Sequence, residues 1–166
     1  MTTAILFLVF LAVQRLAELM IARRNTARLL ERGAVEHGAA HYPLIVAMHA
    51  AWLVAMVVLG WDQPVHLGWL AAFAVLQVLR AWVLATLGPR WTTRIVVLDE
   101  PLVARGPFRL IPHPNYAVVI TEMFVAPMVL GLGSVALFFG VMNILVLALI
   151  RIPAEAKALA PLRRRD

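Results

Sequence analysis

The sequence predicts an all-α integral membrane protein of five transmembrane helices, the last two paired as a hairpin, with a proline-rich cytoplasmic loop ahead of that hairpin. Three observations carry this prediction. The 166 residues are 63% hydrophobic and 14% charged, whereas a soluble domain is about half apolar and a quarter charged. At roughly 20 residues per crossing of a bilayer core about 30 Å thick, the apolar supply covers about five helices. The basic residues, finally, sort to one side of the resulting topology. The same composition excludes a soluble enzyme. The absence of cysteine removes disulfides, thiolate nucleophiles and zinc sites built on thiolates.

The first helix is read over residues 3–22. It has no basic stretch before it and no small-residue cleavage site, so it reads as a retained helix rather than a signal peptide. Gln14, Arg15 and Glu18 interrupt its second half; Arg15 and Glu18, three residues apart, can pair on one face. The second helix is read over 44–60 and the third over 67–87. The apolar stretch 117–150 is too long for one span and barely enough for two. Gly131-Leu132-Gly133-Ser134 lies near its middle and divides it into helices over 117–130 and 135–150. The whole chain is expected to form one membrane domain.

Fifteen Lys and Arg against nine Asp and Glu give a net charge of +6. Arg23, Arg24, Arg28 and Arg32 follow the first helix; Arg90, Arg94, Arg105 and Arg109 follow the third; Arg151, Lys157, Arg163, Arg164 and Arg165 follow the fifth. The short segment 61–66 has Asp62 and no Lys or Arg. Positive residues stay on the cytoplasmic side, so the N-terminus is expected outside and the long loops and tail inside. Arg163 to Arg165 read simply as an anchor on anionic lipid headgroups. Loop 88–115 holds five of the ten prolines, Pro89, Pro101, Pro107, Pro112 and Pro114. Each fixes its own φ and restrains its predecessor, which predicts an ordered, non-helical segment. That exceeds what a plain connection requires and marks a candidate site.

Ionisable groups inside apolar helices are costly unless paired or facing a cavity. Arg80 stands in the last two turns of the third helix, close enough to the cytoplasmic surface to snorkel, as an anchor or as a ligand contact. His49 follows His41 by eight residues, so a helix through both would set them two turns apart on roughly one face, where a packing role is the plainer reading. Glu122 lies less than two turns beyond Tyr116 and has no basic partner in its own helix. It calls for a cation, which Arg151 or a positively charged ligand could supply. There is no glycine-rich phosphate loop, G-x-S-x-G, H-E-x-x-H or dinucleotide fingerprint. No i, i+4 His/Glu pair supports a metal at His41 or His113, so no metal site is expected. Nucleic-acid binding lacks a soluble platform.

The segment LGPRWTTRIVVLDEPLVARGPFRLIPHPNY, with RIPAEAKAL further on, resembles the isoprenylcysteine carboxyl methyltransferase family of integral-membrane methyltransferases. The family pattern is a G-P-Y-R element, R-H-P-x-Y, a helical hairpin, then an arginine followed by paired glutamates. Here these read Gly106-Pro107-Phe108-Arg109, Pro112-His113-Pro114-Asn115-Tyr116, and Arg151 with Glu155. Upstream, Glu31 to Gly38 and His41-Tyr42-Pro43 look like the bacterial branch often associated with type III polyketide synthases, whose members O-methylate alkylpyrones or phenolic lipids. Three positions depart from the pattern. Phe108 keeps the ring but not the hydroxyl, Pro112 replaces an arginine, and Ala156 replaces the second glutamate.

The resemblance implies S-adenosylmethionine as cofactor, bound by Arg109, His113, Pro114, Tyr116 and Glu155. Glu155 would accept from the cofactor's ammonium and Arg109 would meet its carboxylate. Arg109 also reads as an ordinary positive-inside charge, and His113 as a turn residue between prolines. The implied reaction is methyl transfer to an oxygen of a lipophilic acceptor, such as a long-chain alkylpyrone or a prenylated cysteine carboxylate. It needs acceptor and methyl aligned about 3–3.5 Å apart. An acidic acceptor needs no strong base; a phenol would need one, for which Glu122 or His49 is the candidate. Arg151 and Arg80 could hold an anionic headgroup, while the alkyl tail arrives from the bilayer. The partners expected are therefore that acceptor and membrane lipid, in a bacterial cytoplasmic membrane with the site facing the cytoplasm. Two other readings stay open: a related lipid N-methyltransferase or reductase, and a non-catalytic membrane binding protein whose Pro112 and Ala156 mark a lost site.

Overall fold

The computed structural model describes residues 1–163; of the basic tail, Arg164 and Arg165 lie outside the described residues. The elements in order are helix α1 (Thr2–Glu31), strand β1 (Val35–His37), helices α2 (Tyr42–Gly60) and α3 (Leu67–Leu87), strand β2 (Ile95–Val97), and helices α4 (Pro114–Val129), α5 (Gly133–Val146) and α6 (Ile152–Arg163). Four stretches, Thr2–Glu31, Ala39–Gly60, Leu67–Arg90 and Gly133–Leu162, are long and apolar enough to cross a membrane. The expected fourth span is the shorter α4. Its 16 residues cover about 24 Å at 1.5 Å per residue, less than a bilayer core.

Helix α1 runs nine residues beyond its expected end at 22. Nothing in Arg23–Glu31 breaks a helix, so the chain keeps coiling until Gly33. Its buried positions, among them Ala4, Leu8, Leu11, Glu18, Ala22, Asn25 and Leu29, recur every three or four residues and form one stripe facing the bundle. Phe7 meets Phe73 edge-on at 5.1 Å, and Glu18 and Asn25 meet Arg80 and Gly88 further along, so α1 and α3 run parallel. Trp52 and Met56 of α2, Phe73 and Leu76 of α3, and Met123, Ala126 and Val129 of α4 complete the core.

The α4–α5 hairpin turns where the glycine pair predicts. Gly131 takes φ +68°, a left-handed conformation open to glycine, and the Leu130 and Leu132 amides both donate to the Pro127 carbonyl at 3.0 Å. Gly140 sets how closely α5 approaches α4: a Cβ there would come 2.3 Å from the Phe124 ring. The fifth helix does not stop at 150. A π-helical turn over Leu147–Arg151 carries α5 directly into α6. Pro153 explains the irregularity, since it has no N–H to close the regular ladder at this junction.

Two further expectations are corrected. The chain is not wholly α: β1 and β2 pair antiparallel with Val35 opposite Val97, Glu36 opposite Val96 and His37 opposite Ile95. Arg94 beside this ladder bonds both Glu36 carboxylate oxygens at 2.9 and 3.0 Å and lies over the Tyr42 ring. Arg80 does not snorkel. It is 5% exposed and binds Glu18 at 2.5 Å and Glu122 at 2.6 Å. Glu122, fully buried, takes its cations from Arg80 and from Arg15 at 2.7 Å, not from Arg151. The expected Arg15–Glu18 pair forms at 3.1 Å. Gln14 and Gln77 extend the network from α1 through α3 to Glu122. Two arginines balance two glutamates, which makes this cluster tolerable away from water.

Candidate functional site

A cavity of about 260 Å³ opens at the end of the bundle where α1, α3 and the α5–α6 junction leave the apolar region. Its walls come from four directions. β2 and the residues before it supply Trp91, Thr92 and Arg94 to Val97, and the following loop supplies Glu100, Leu102 and Val103. The start of α4 supplies His113, Asn115 and Tyr116, and the α5–α6 junction supplies Arg151 and Glu155. Leu29 of α1 and Leu87 of α3 close the side nearest the bundle. Between α3 and α4 the chain carries short 3-10 turns at Gly88–Arg90 and Gly106–Arg109 and the strand β2.

Pro114 occupies the first turn of α4, where a missing N–H costs nothing. The helix therefore starts at Pro114 with His113 just ahead of it, and Tyr116 lies in its first turn. The two rings lie nearly parallel, 20° apart in plane and 5.4 Å between centroids. Across the cavity, Arg151 and Glu155 are four residues apart and share a helix face. The Tyr116 hydroxyl donates to Glu155 Oε2 and accepts from Arg151 Nε at 3.1 Å. His113 Nδ1 lies 3.8 Å from Glu155 Oε1. Arg151 Nη2 donates to the Thr93 carbonyl at 3.0 Å, while its Nη1 is buried without a hydrogen-bond partner.

The electrostatics of the walls follow from these pairings. Arg90 is engaged by Glu100 and donates to the Pro101 carbonyl at 2.7 Å, and Arg94 is engaged by Glu36. Among the described wall residues Arg151 is the guanidinium held only by neutral groups, a phenol oxygen and a carbonyl. A buried donor left unmade costs about 1–3 kcal/mol, so the site as built is a place for an anionic or strongly accepting oxygen. Glu155, 24% exposed, offers the complementary acceptor for a cation. The stacked rings offer flat apolar surface. A carboxylate, a guanidinium with a spare donor and an aromatic pair form a donor set that fits a zwitterion carrying an aromatic ring.

The structure thus brings together His113, Tyr116, Arg151 and Glu155. Pro114 is buried behind them and acts through the helix start. Arg109 is exposed and does not reach the cavity wall. Glu122 sits in the interior ion cluster. His49, on α2, turns its Nδ1 to the Ile45 carbonyl at 2.9 Å and neighbours that same cluster. Neither lines the cavity, because α4 carries Glu122 about 9 Å beyond Tyr116 at 1.5 Å per residue. His41 ends a 3-10 turn ahead of α2 and packs its ring on Gly38, so it and His49 do not share one helix. Sequence reasoning passed over the β2 wall and Leu29. The β-branched run Ile95-Val96-Val97 was the available signal for the strand.

The sequence profile of the isoprenylcysteine carboxyl methyltransferase family matches residues 69–161, more than half of the chain and all four converging residues. The chain belongs to that family. Isoprenylcysteine carboxyl methyltransferase relatives are membrane methyltransferases, and the long apolar helices here fit an integral membrane member. The chain is 40% identical over 161 residues to the uncharacterized protein YpbQ of Bacillus subtilis (strain 168), covering 93% of this chain and 95% of that one. It is 25% identical over 165 residues to an uncharacterized protein of Haemophilus influenzae, covering 95% of each. No solved structure matches. The family match begins within α3, so α1, α2 and β1 lie before it; the interior charge cluster is where α1 is fastened to the matched part.

Proposed function

We propose that this chain transfers a methyl group from S-adenosylmethionine to an oxygen of a lipophilic acceptor, in a cavity on the cytoplasmic face of a five-span bundle. The observation that carries this reading is the convergence of His113, Tyr116, Arg151 and Glu155 on one cavity within the family-matched segment. When bound, the cofactor supplies an electrophilic methyl on a sulfonium. Glu155 accepts from its ammonium, and the His113–Tyr116 pair gives its adenine a flat apolar wall. Arg151 presents the spare Nη1 donor to an anionic oxygen and so orients an acidic hydroxyl or a carboxylate. Such an acceptor is already ionised, so the site needs no general base. That agrees with Glu122 and His49 standing away from the cavity. The leucines of the wall exclude water from the reacting groups.

Labelled S-adenosylmethionine binding to the detergent-solubilised chain tests the reading, with Glu155→Gln and His113→Ala as comparisons. Binding in the wild type and its loss in both variants is the expected result; unchanged binding in both removes the assignment. Product mass distinguishes the chemistry, since O-methylation adds one methyl and no hydride.

A further inference from the structure

We propose that Tyr42 and Glu36 are positioning residues for the cavity: through Thr93 they hold the Arg151 guanidinium off the Glu155 carboxylate. This rests on the cavity being the reaction site, where a free cation and a free anion are both needed. Arg151 and Glu155 stand four residues apart on one helix face, the spacing at which opposite charges pair. Such a pair would neutralise both groups and leave a zwitterion little to bind. The guanidinium is turned elsewhere. Its Nε donates to the Tyr116 hydroxyl at 3.1 Å and its Nη2 to the Thr93 carbonyl at 3.0 Å. The guanidinium is a rigid plane, so fixing two nitrogens fixes the direction of the third, Nη1. Tyr116 bonds Glu155 as well as Arg151, so the Thr93 carbonyl is the contact that draws the cation away.

Thr93 is itself held from the segment between α1 and α2. The Tyr42 hydroxyl and the Thr93 Oγ1 share a hydrogen bond of 2.9 Å. The adjoining Arg94 bonds both carboxylate oxygens of Glu36 at 2.9 and 3.0 Å. Its guanidinium also lies 4.6 Å from the centre of the Tyr42 ring, a cation over an aromatic face. The ladder sets His37 opposite Ile95 and Glu36 opposite Val96, so β1 runs along the strand that follows Thr93. A tight turn then delivers Tyr42. Gly38 takes φ +64°, and a Cβ there would lie 2.1 Å from the His41 ring. The chain thus passes from β1 to α2 within Gly38–His41.

The observed geometry runs against the local preference of the helix. Hydrogen bonds between charged groups are roughly twice as strong as neutral ones, so a buried guanidinium gains more from a carboxylate than from a carbonyl. Arg151 is buried and keeps Nη1 unpartnered, although Glu155 stands one turn along. Contacts from more than fifty residues upstream overrule that preference. Glu36 and Tyr42 belong to the runs Glu31–Gly38 and His41-Tyr42-Pro43, which lie before the family-matched segment and to which the proposed reaction gives no part. Neither lines the cavity; both act through Thr93.

The test reads Glu155 directly and needs no cofactor. The full-length solubilised chain is treated with a water-soluble carbodiimide and glycine ethyl ester, and labelling of Glu155 is measured by mass spectrometry. In Tyr42→Phe, in Glu36→Gln and in the double variant, Arg151 turns onto Glu155 and shields it. Labelling should fall in each single variant and by about threefold or more in the double, since it tracks the fraction of molecules with a free carboxylate. S-adenosylmethionine affinity, measured with labelled cofactor on the same samples, should fall by the same factor. Adding Arg151→Gln to the double variant should restore the labelling. A merely structural role has the opposite sign, because a loosened site exposes Glu155 and raises its labelling. Gly140→Ala, which strains the bundle at Phe124, should leave it unchanged. Unchanged or raised labelling in both single variants, or labelling that stays low once Arg151→Gln is added, overturns the positioning role. Absent cofactor binding in the wild type would remove the cavity reading, while Glu155 labelling still decides whether Tyr42 and Glu36 aim Arg151.

Discussion

At the cavity wall one phenol hydroxyl joins two charged side chains, since Tyr116 donates to Glu155 and accepts from Arg151. Tyr116→Phe keeps the ring stacked on His113 and removes only that link. S-adenosylmethionine affinity should fall about tenfold or more, in line with the roughly 1.5–3 kcal/mol of a hydrogen bond to charged partners, with the thermal midpoint of the protein little changed. Calorimetric titration and a melting curve on the same sample check both halves. Arg109→Ala makes the opposite case. The side chain is exposed and outside the wall, so its removal should leave cofactor affinity within about a factor of two, as for ordinary surface changes. A loss at Arg109 matching that at Tyr116 would return it to the site. The motif residues near Tyr116 were legible one by one from their types and order. Which of them face the cavity was not, because the 3-10 turn ending at Arg109 directs that side chain outward.

Between elements, the interior cluster and the hairpin contact decide how the helices sit. Arg80→Gln leaves the glutamates in excess by one, and Glu122→Gln leaves the arginines in excess by one. Each should cost about 3–5 kcal/mol, as for breaking a buried pair. The double variant restores neutrality around Arg15 and Glu18 and should be less destabilised than the two singles added together. Denaturant titration of all three gives the coupling; strict additivity would mean that the pair is not coupled. Gly140→Ala pushes a methyl at the Phe124 ring and should cost about 1–3 kcal/mol, read as a lower melting temperature with cofactor contacts intact. The sequence shows that Glu122 needs a cation. It does not show which one, since Arg15, Arg80 and Arg151 are all far away along the chain. The choice depends on α1 and α3 running parallel beside α4.

For the molecule as a whole, the orientation proposed from the charges, with the N-terminus outside, is open to direct test. With no native thiol, Val35→Cys in β1 and Trp61→Cys between α2 and α3 report opposite sides. In intact cells an impermeant maleimide should label Trp61→Cys and leave Val35→Cys unlabelled until the membrane is opened; the reverse pattern would invert the topology. The sequence by itself determined that this chain lives among apolar helices, about where each of them begins, and which family motifs surround the hairpin. These are matters of composition, local hydropathy and residue order, all carried by near neighbours in the chain. Only the tertiary structure decided that β1 reaches across to β2, that α1 supplies both the partner of Arg80 and a wall of the cavity, and that the last helix runs unbroken through a π turn to present Arg151 and Glu155. Those features depend on contacts between segments tens of residues apart, where short-range patterns specify what each group needs but not which distant group provides it.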